Sequence, residues 1–279
     1  MASSFVTRIR RIQHDLHPAE RRLAEFLLDF PGELASYSAS ELARLAHVSN
    51  STVSRFVQRL GYRTYDEARR IVRAEKEAGP ALYQSTARTR SRSGQTAAHI
   101  DQGRENLQRT FVRIAEAELK SICTAVLKAR KVWLVGFRSS HAFASYLRWQ
   151  IFQVIENVLT IPQGGETLAE HLASIQPTDV VIFFGLRRRP AILAGLLSQT
   201  GRTGAQVLYV TDDAPVWTDR TRPKWCIQCD CSSLGPLYNH VSVIALCHLL
   251  ATKIIEMSGE AGRRRLTAIE VEHEALAEL

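Results

Sequence analysis

The segment Ser51–Leu60 sorts two kinds of side chain with helical period. Val53, Phe56, Val57 and Leu60 form an apolar stripe, while Ser51, Thr52, Ser54, Arg55, Gln58 and Arg59 read as the outward face, which holds no carboxylate. Such a face can lie against a polyanion. Its small hydroxylated residues permit close approach, and Arg55 and Gln58 are long enough to reach base edges or phosphates. Ser49 and Thr52 sit at the helix start, where free N–H groups favour a phosphate. Arg63, Thr64 and Tyr65 follow in a loop placed to grip a nucleic-acid backbone. The competing reading is the solvated polar side of a small helical bundle.

A second set of chemical groups falls at the ends of apolar runs farther on. Val135-Gly136-Phe137-Arg138-Ser139-Ser140 places a glycine turn before two hydroxyls at a helix start, which suits a phosphate or carboxylate. Plain capping by Ser139 is the alternative. Phe184-Gly185-Leu186-Arg187-Arg188-Arg189-Pro190 makes a positive loop fit for an anion, a subunit contact or solvent. Thr211 and Asp212 can orient a hydroxylated ligand or close a polar turn. Glu166 and His240 are the candidate bases of an isomerase reading, against a surface glutamate and a packed histidine. Cys226, Cys229 and Cys231 have one zinc-like C-x-x-C spacing, but no second pair follows, and strand alternation turns Cys226 and Cys229 to opposite faces. No metal and no cofactor are expected. GxGxxG, P-loop and HExxH motifs are all absent from the sequence.

These residues need two different scaffolds. The chain has 279 residues, 45% of them hydrophobic and 23% charged, so it can bury a large core. Its net charge is +8, concentrated in the first 110 residues, as expected if an anionic polymer meets the front of the chain. The front is helical throughout. Pro18 opens a helix with Leu23, Phe26, Leu27 and Phe30 inside, and Pro31-Gly32 ends it. Ser40 caps a second helix with Leu42, Leu45 and Ala46 inward. The turn His47–Asn50 leads into the third, with Val48 plugging the corner, and Gly61 stops it. The composition shifts at Gly79-Pro80, and Ala87–Ala98 reads as an exposed connector. Leu107, Phe111, Ile114, Leu119, Ile122 and Val126 predict one long helix from about Ile100 to Ala129. Beyond it, strands at Lys131–Val135, Val158–Ile161, Val180–Phe184, Gln206–Val210 and Trp225–Cys229 alternate with helices near 139–155, 165–175, 190–202 and 236–257. That pattern specifies a parallel sheet covered on both faces, with ligands at the carboxyl ends of its strands. The apolar runs near Phe183 and Val241 are too short to span a bilayer, and Met1–Arg11 has no signal-like apolar run behind it. A cytoplasmic protein without membrane contact is expected, its five cysteines reduced.

The stretch from Glu41 to Arg70, ELARLAHVSNSTVSRFVQRLGYRTYDEARR, resembles the DNA-binding domain of the RpiR/MurR family of bacterial transcriptional regulators. It matches that family's LA-x-x-x-x-VS-x-x-TV-x-RF-x-x-x-LG-(F/Y)-x-x-(F/Y) pattern almost position for position. The resemblance implies that Ser51–Leu60 enters the major groove. It also implies that the back of the chain is a SIS domain, a sugar-phosphate isomerase and binding fold. The family's Gly-x-Gly-Ser-Ser corresponds to Gly136–Ser140 with Arg138 in place of the middle glycine. Gly185 stands where the family has a phosphate-holding serine. The "ITD…SP" stretch corresponds to Val210-Thr211-Asp212 with Ala214-Pro215. Half the hydroxyl cradle is thus replaced, with Arg138, Arg187 and Arg188 available to supply charge.

The expected architecture is an all-α helix-turn-helix domain over 1–80, a basic linker and start of a connecting helix over 81–110, an α/β SIS-type domain with a five-stranded parallel sheet over 111–259, and a helical tail over 260–279. The expected function is a DNA-binding regulator, a repressor of a sugar or sugar-acid catabolic cluster. A homodimer, or a tetramer, would read a palindromic double-stranded operator under control of a phosphosugar or sugar acid. The alternatives are an isomerase-type enzyme with an accessory helical domain, and a regulator whose SIS-like domain only dimerises.

Overall fold

The computed structural model describes residues 5–29, 33–77, 95–187, 189–213, 222–234 and 237–278. The expectations placed on Phe30, Pro31-Gly32, Gly79-Pro80, Arg188, Ala214-Pro215 and the first part of the connector lie outside these residues. The chain divides into two compact units, Met1–Thr96 with Leu234–Leu237, and Ala97–Ser233 with Tyr238–Leu279.

The first unit contains six α-helices among its described residues: α1 (Phe5–Ile12), α2 (Pro18–Asp29), α3 (Glu33–Ser36), α4 (Ala39–Leu45), α5 (Asn50–Arg59) and α6 (Tyr65–Glu77). Their apolar stripes meet in one core around Ile9, Leu23, Leu27, Leu34, Leu42, Val53, Phe56 and Val57. Full burial of a side chain such as Phe56 contributes about 1.5–3 kcal/mol. The cap of α4 is Ser38, not Ser40. Its hydroxyl accepts from the Glu41 N–H at 3.3 Å, and Glu41 Oε2 accepts from the Ser38 N–H at 2.8 Å. This reciprocal box satisfies two donors at once. It holds the Glu41 carboxyl below its ordinary range, chiefly through the Ser38 backbone N–H. Shifting the start of α4 turns Ala43 inward and leaves Leu45 39% exposed, contrary to the expected stripe. His47 makes the tight turn at φ +52°, and Gly61 leaves α5 at φ +89°.

The second unit opens with two helices rather than one. Asn106 and Thr110 are buried on α7 (Gln95–Phe111); Asn106 donates to the Ser232 carbonyl at 2.8 Å, and the Thr110 hydroxyl accepts from the Asp230 N–H at 2.8 Å. The chain then breaks at residues 112–115 and restarts as α8 (Glu116–Lys128). The apolar spacing continued through the break, so periodicity alone could not show it.

Strands β1 (Val132–Gly136), β2 (Val158–Ile161), β3 (Val180–Gly185), β4 (Gln206–Thr211) and β5 (Trp225–Gln228) pair in parallel in the order β2-β1-β3-β4-β5. Helices α8, α9 (Ser139–Phe152) and α12 (Val241–Met257) cover one face. Helices α10 (Ala169–Ser174) and α11 (Ile192–Arg202) pack on the other. Burial on both faces explains why the strands read as continuous apolar runs. Helix α13 (Gly259–Leu276) follows α12 after a sharp bend. At the amino edge of the sheet the buried Asp179 accepts from Arg130 Nη2 at 2.7 Å, Trp133 Nε1 at 2.9 Å and the Gln176 N–H at 3.0 Å. Burial opposes its charge, and these donors more than offset that, lowering its pKa.

Candidate functional site

Helix α5 begins at a cap whose geometry follows from three hydroxyls. Ser49 Oγ accepts from the Thr52 N–H at 3.2 Å and lies 2.8 Å from both Ser51 Oγ and Thr52 Oγ1. Thr52 is 5% exposed, so it belongs to the core side and is removed from the outward face on which it was expected. Its γ-methyl joins the apolar stripe while its hydroxyl serves the cap. Ser51, Ser54, Arg55, Gln58 and Arg59 are exposed, and no acidic residue occupies the first turn. Arg59 is nevertheless committed to its own domain: it pairs with Glu20 at 2.9 Å and donates to the Asp15 carbonyl at 2.7 Å. Arg55, by contrast, makes only a long 3.4 Å contact back to the Ser51 carbonyl among the described residues.

The Arg63 side chain is exposed beside Thr64, whose hydroxyl accepts from the Glu67 N–H at 3.1 Å. Tyr65 is turned inward rather than toward a phosphate. Its hydroxyl donates to the Tyr37 carbonyl at 2.9 Å, and burial pushes its pKa up to about 12. Asn50, placed in the turn by the sequence, is exposed at the first position of α5 and donates to Ser40 Oγ at 3.3 Å. Position alone could have marked it, since the first residues of a recognition helix point toward the groove.

In the second unit the direction of connections reverses between β1 and β3, the place where open α/β sheets bind ligands. Two glycines shape it. A Cβ at Gly136 would stand 2.6 Å from the Ser140 carbonyl carbon, so only glycine lets the first turn of α9 fold back so closely. Arg138 takes φ +55°, a conformation that favours glycine and costs a non-glycine residue about 1–3 kcal/mol. This accounts for the family's glycine there. No side chain caps α9, so Ser139 is exposed and does not act as the expected cap; Ser140 is buried.

A Cβ at Gly185 would overlap the Tyr209 ring, with Cε2 2.6 Å away. The family's serine is therefore excluded here by Tyr209, a phenol whose pKa burial raises to about 12. Gly185→Ser is expected to cost about 1–3 kcal/mol through overpacking. Adding Tyr209→Val should restore much of the lost melting temperature; a serine variant as stable as the parent would contradict the steric account.

The positive loop is largely self-neutralised. The Arg187 side chain is 2% exposed, with Nη2 3.3 Å from Asp213 and Nε 3.6 Å from Asp212. Arg189 pairs with Asp212 and Asp213 and donates to Thr211 Oγ1 at 3.1 Å. Burial works against the Arg187 charge, and Asp212 and Asp213 more than offset it, so its pKa rises. Arg187 is thus a partner of carboxylates rather than the open anion anchor expected. Two atoms nearby remain unsatisfied: Arg187 Nη1 and His240 Nε2 are buried with no hydrogen-bond partner among the described residues. The His240 ring packs 5.1 Å from Phe143 and senses Asp212; burial depresses its pKa. Because the folded pKa lies below the unfolded one, stability is complete above the unfolded value and falls as pH drops through the folded value. His240→Asn should flatten this loss in unfolding measured between pH 7 and 5.

Glu166 is not poised as a base. It is exposed and accepts from the Gln163 N–H and from His171 Nε2, each at 2.9 Å, and the Gln163 hydrogen bond above all holds its pKa low. Cys226 is exposed, whereas Cys229 and Cys231 are buried with thiol pKa values pushed up by burial.

A capped helix-turn-helix with a carboxylate-free outer face, joined to a doubly wound α/β domain with a strand-end crevice, defines a two-domain DNA-binding regulator. Residues 4–78 match the helix-turn-helix domain of the rpiR family, and residues 126–253 match the SIS domain. The chain thus carries an rpiR-family helix-turn-helix domain followed by a SIS domain, and it resembles the RpiR-type transcriptional regulators in this pairing. Among its relatives is the uncharacterized HTH-type transcriptional regulator YfhH of Escherichia coli (strain K12), 24% identical over 216 residues, 75% of each chain. HexR of Pseudomonas aeruginosa, also named an HTH-type transcriptional regulator, is 26% identical over 71% of this chain and 69% of its own. The sugar isomerase domain of an RpiR transcription factor from Sphaerobacter thermophilus shares the fold with TM-score 0.58 and 21% identity, over 64% of this chain and 99% of that one. The Vibrio vulnificus NanR protein, solved with ManNAc-6P, does so with TM-score 0.54 and 15% identity, over 98% and 99%. Among the described residues no single helix is long and apolar enough to cross a membrane.

Proposed function

We propose that the chain is a repressor of a sugar or sugar-acid catabolic gene cluster, released or engaged by an anionic, hydroxylated metabolite held at the ends of β1, β3 and β4. The observation that carries the ligand reading is the pair of buried, unsatisfied groups on Arg187 and His240. A buried polar group without a partner costs free energy, and a ligand oxygen would remove that cost. Ser139, Ser140 and Arg138 would serve the anionic end, with Thr211 and Asp212 ordering the loop beneath it. NanR, solved with ManNAc-6P, supports a phosphosugar as the first class to test. Ser49, Ser51, Ser54, Arg55, Gln58 and Arg63 would face DNA, and a symmetric dimer would present two such faces to a palindrome. The hydrogen bonds that close Glu166 weigh against it as the base of the isomerase alternative, which would leave His240 for that role.

The experiment is a thermal-shift screen of full-length protein against phosphosugars and sugar acids, each hit then added to a complex with DNA from upstream of its own gene. A hit should raise the melting temperature and change DNA affinity at least fivefold. Stabilisation with unaltered DNA affinity would refute control by that ligand.

A further inference from the structure

A separate cleft of about 560 Å³ lies along the outer flank of α9 and the end of β2, lined by His141, Ser145, Arg148, Trp149, Thr160 and Gln163 with Gly164. Its size falls in the ~300–1,000 Å³ range of small-molecule sites. Thr160 is 3% exposed, and its hydroxyl has no hydrogen-bond partner among the described residues. It is a built-in donor and acceptor facing a cleft rather than core. Arg148 is fixed by a 3.3 Å hydrogen bond from Nε to the Val158 carbonyl and by stacking on Phe152 at 4.9 Å. Its two Nη groups have no partner among the described residues, and no carboxylate lines the cleft. Trp149, on the next position of the helix, is 65% exposed.

Unlike the Arg187 cluster, then, this site keeps an uncompensated guanidinium. It adds an orphaned hydroxyl, three further polar side chains and a bare indole face. A guanidinium prefers a planar anion, hydroxyls and amides suit a polyol, and an indole covers the C–H face of a sugar ring. We infer that this cleft is a second binding site, which takes a sugar ring bearing one carboxylate or phosphate, with the anion on Arg148, a ring hydroxyl on Thr160 and the ring over Trp149. The site does not depend on the strand-end crevice, which lies at the β1–β3 reversal.

The test is tryptophan fluorescence of full-length protein titrated with glucose 6-phosphate, with gluconate and with inorganic phosphate. At least one of the two sugar anions should give a saturable change at millimolar concentration, and whichever does so identifies the anion type; inorganic phosphate alone should bind more weakly. Trp149→Phe should abolish the signal, and Arg148→Gln should weaken binding at least tenfold. Thr160→Val provides a readout that a purely structural role would not give. It should raise the ligand-free melting temperature, because a buried unsatisfied hydroxyl is gone, yet weaken sugar binding several-fold. No saturable change with either sugar anion, a change that survives in Trp149→Phe, or equal affinity in Arg148→Gln would each overturn the proposal.

Discussion

Arg187→Ala should destabilise the SIS domain by about 3–5 kcal/mol, the penalty for removing one partner of a buried ion pair. The parent side chain is almost fully enclosed between Asp212 and Asp213, and its backbone N–H also donates to Asp212 at 3.3 Å. Without it, Arg189, partly exposed and already shared between them, is the one cation paired with these two enclosed carboxylates among the described residues. A loss of this size is a large part of the ~5–15 kcal/mol that holds a typical domain folded. Arg187→Lys should recover only part of it, since a single ammonium cannot span both carboxylates as a guanidinium does. Urea unfolding followed by circular dichroism measures the loss. A change below 1 kcal/mol would mean that the cluster is not the clasp between the ends of β3 and β4 that its geometry describes.

Arg55→Ala should lower affinity for the operator by about 10–100-fold, the worth of one good base contact of about 1–3 kcal/mol. Arg55 is exposed on α5 and has no carboxylate partner among the described residues, so its charge is available to DNA. Arg59→Ala makes an instructive contrast. Its ion pair with Glu20 and its bond to the Asp15 carbonyl tie α5 to the preceding segments, so its removal should act first on the stability of the front domain, and by less, because exposed pairs contribute about 0–1 kcal/mol. Titration of a labelled duplex separates the two. Equal losses of affinity at both positions would place Arg59 on the DNA as well.

Much of the architecture was legible because local patterns coincided with burial. The five apolar runs became the five strands, each shifted by a residue or two at most, since strands covered on both faces cannot alternate. The helix-turn-helix followed from the stripe of Val53, Phe56 and Val57 and from the short turn before it, in which the structure makes Ser49 the cap. Thr52 escaped because a threonine can serve both sides: its hydroxyl suits a cap and its methyl suits a core. The break between α7 and α8 escaped because Phe111 and Ile114 keep their apolar character through it. At the candidate site, the missing information was pairing across strands. Arg187 and Asp212 are distant in sequence but adjacent in space because β3 and β4 are neighbours in register. Nothing local to the arginine loop announces its counter-charges. The same register brings Tyr209 against Gly185, which explains a missing serine that the sequence could only record. The cleft at Arg148 was invisible for a related reason, since it is assembled from one helix flank and one edge strand.

If the outer face of α5 reads DNA under the control of a bound sugar anion, both properties should appear in one titration. Fluorescence anisotropy of a labelled duplex from the gene's own upstream region, titrated with full-length protein with and without the hit from the thermal-shift screen, tests both halves together. Binding should be tight, exceed that of a scrambled duplex by at least a hundredfold, weaken steeply with salt, and shift at least fivefold when the metabolite is added. Equal affinity for the scrambled duplex, or specific binding that no sugar anion moves, would contradict this reading.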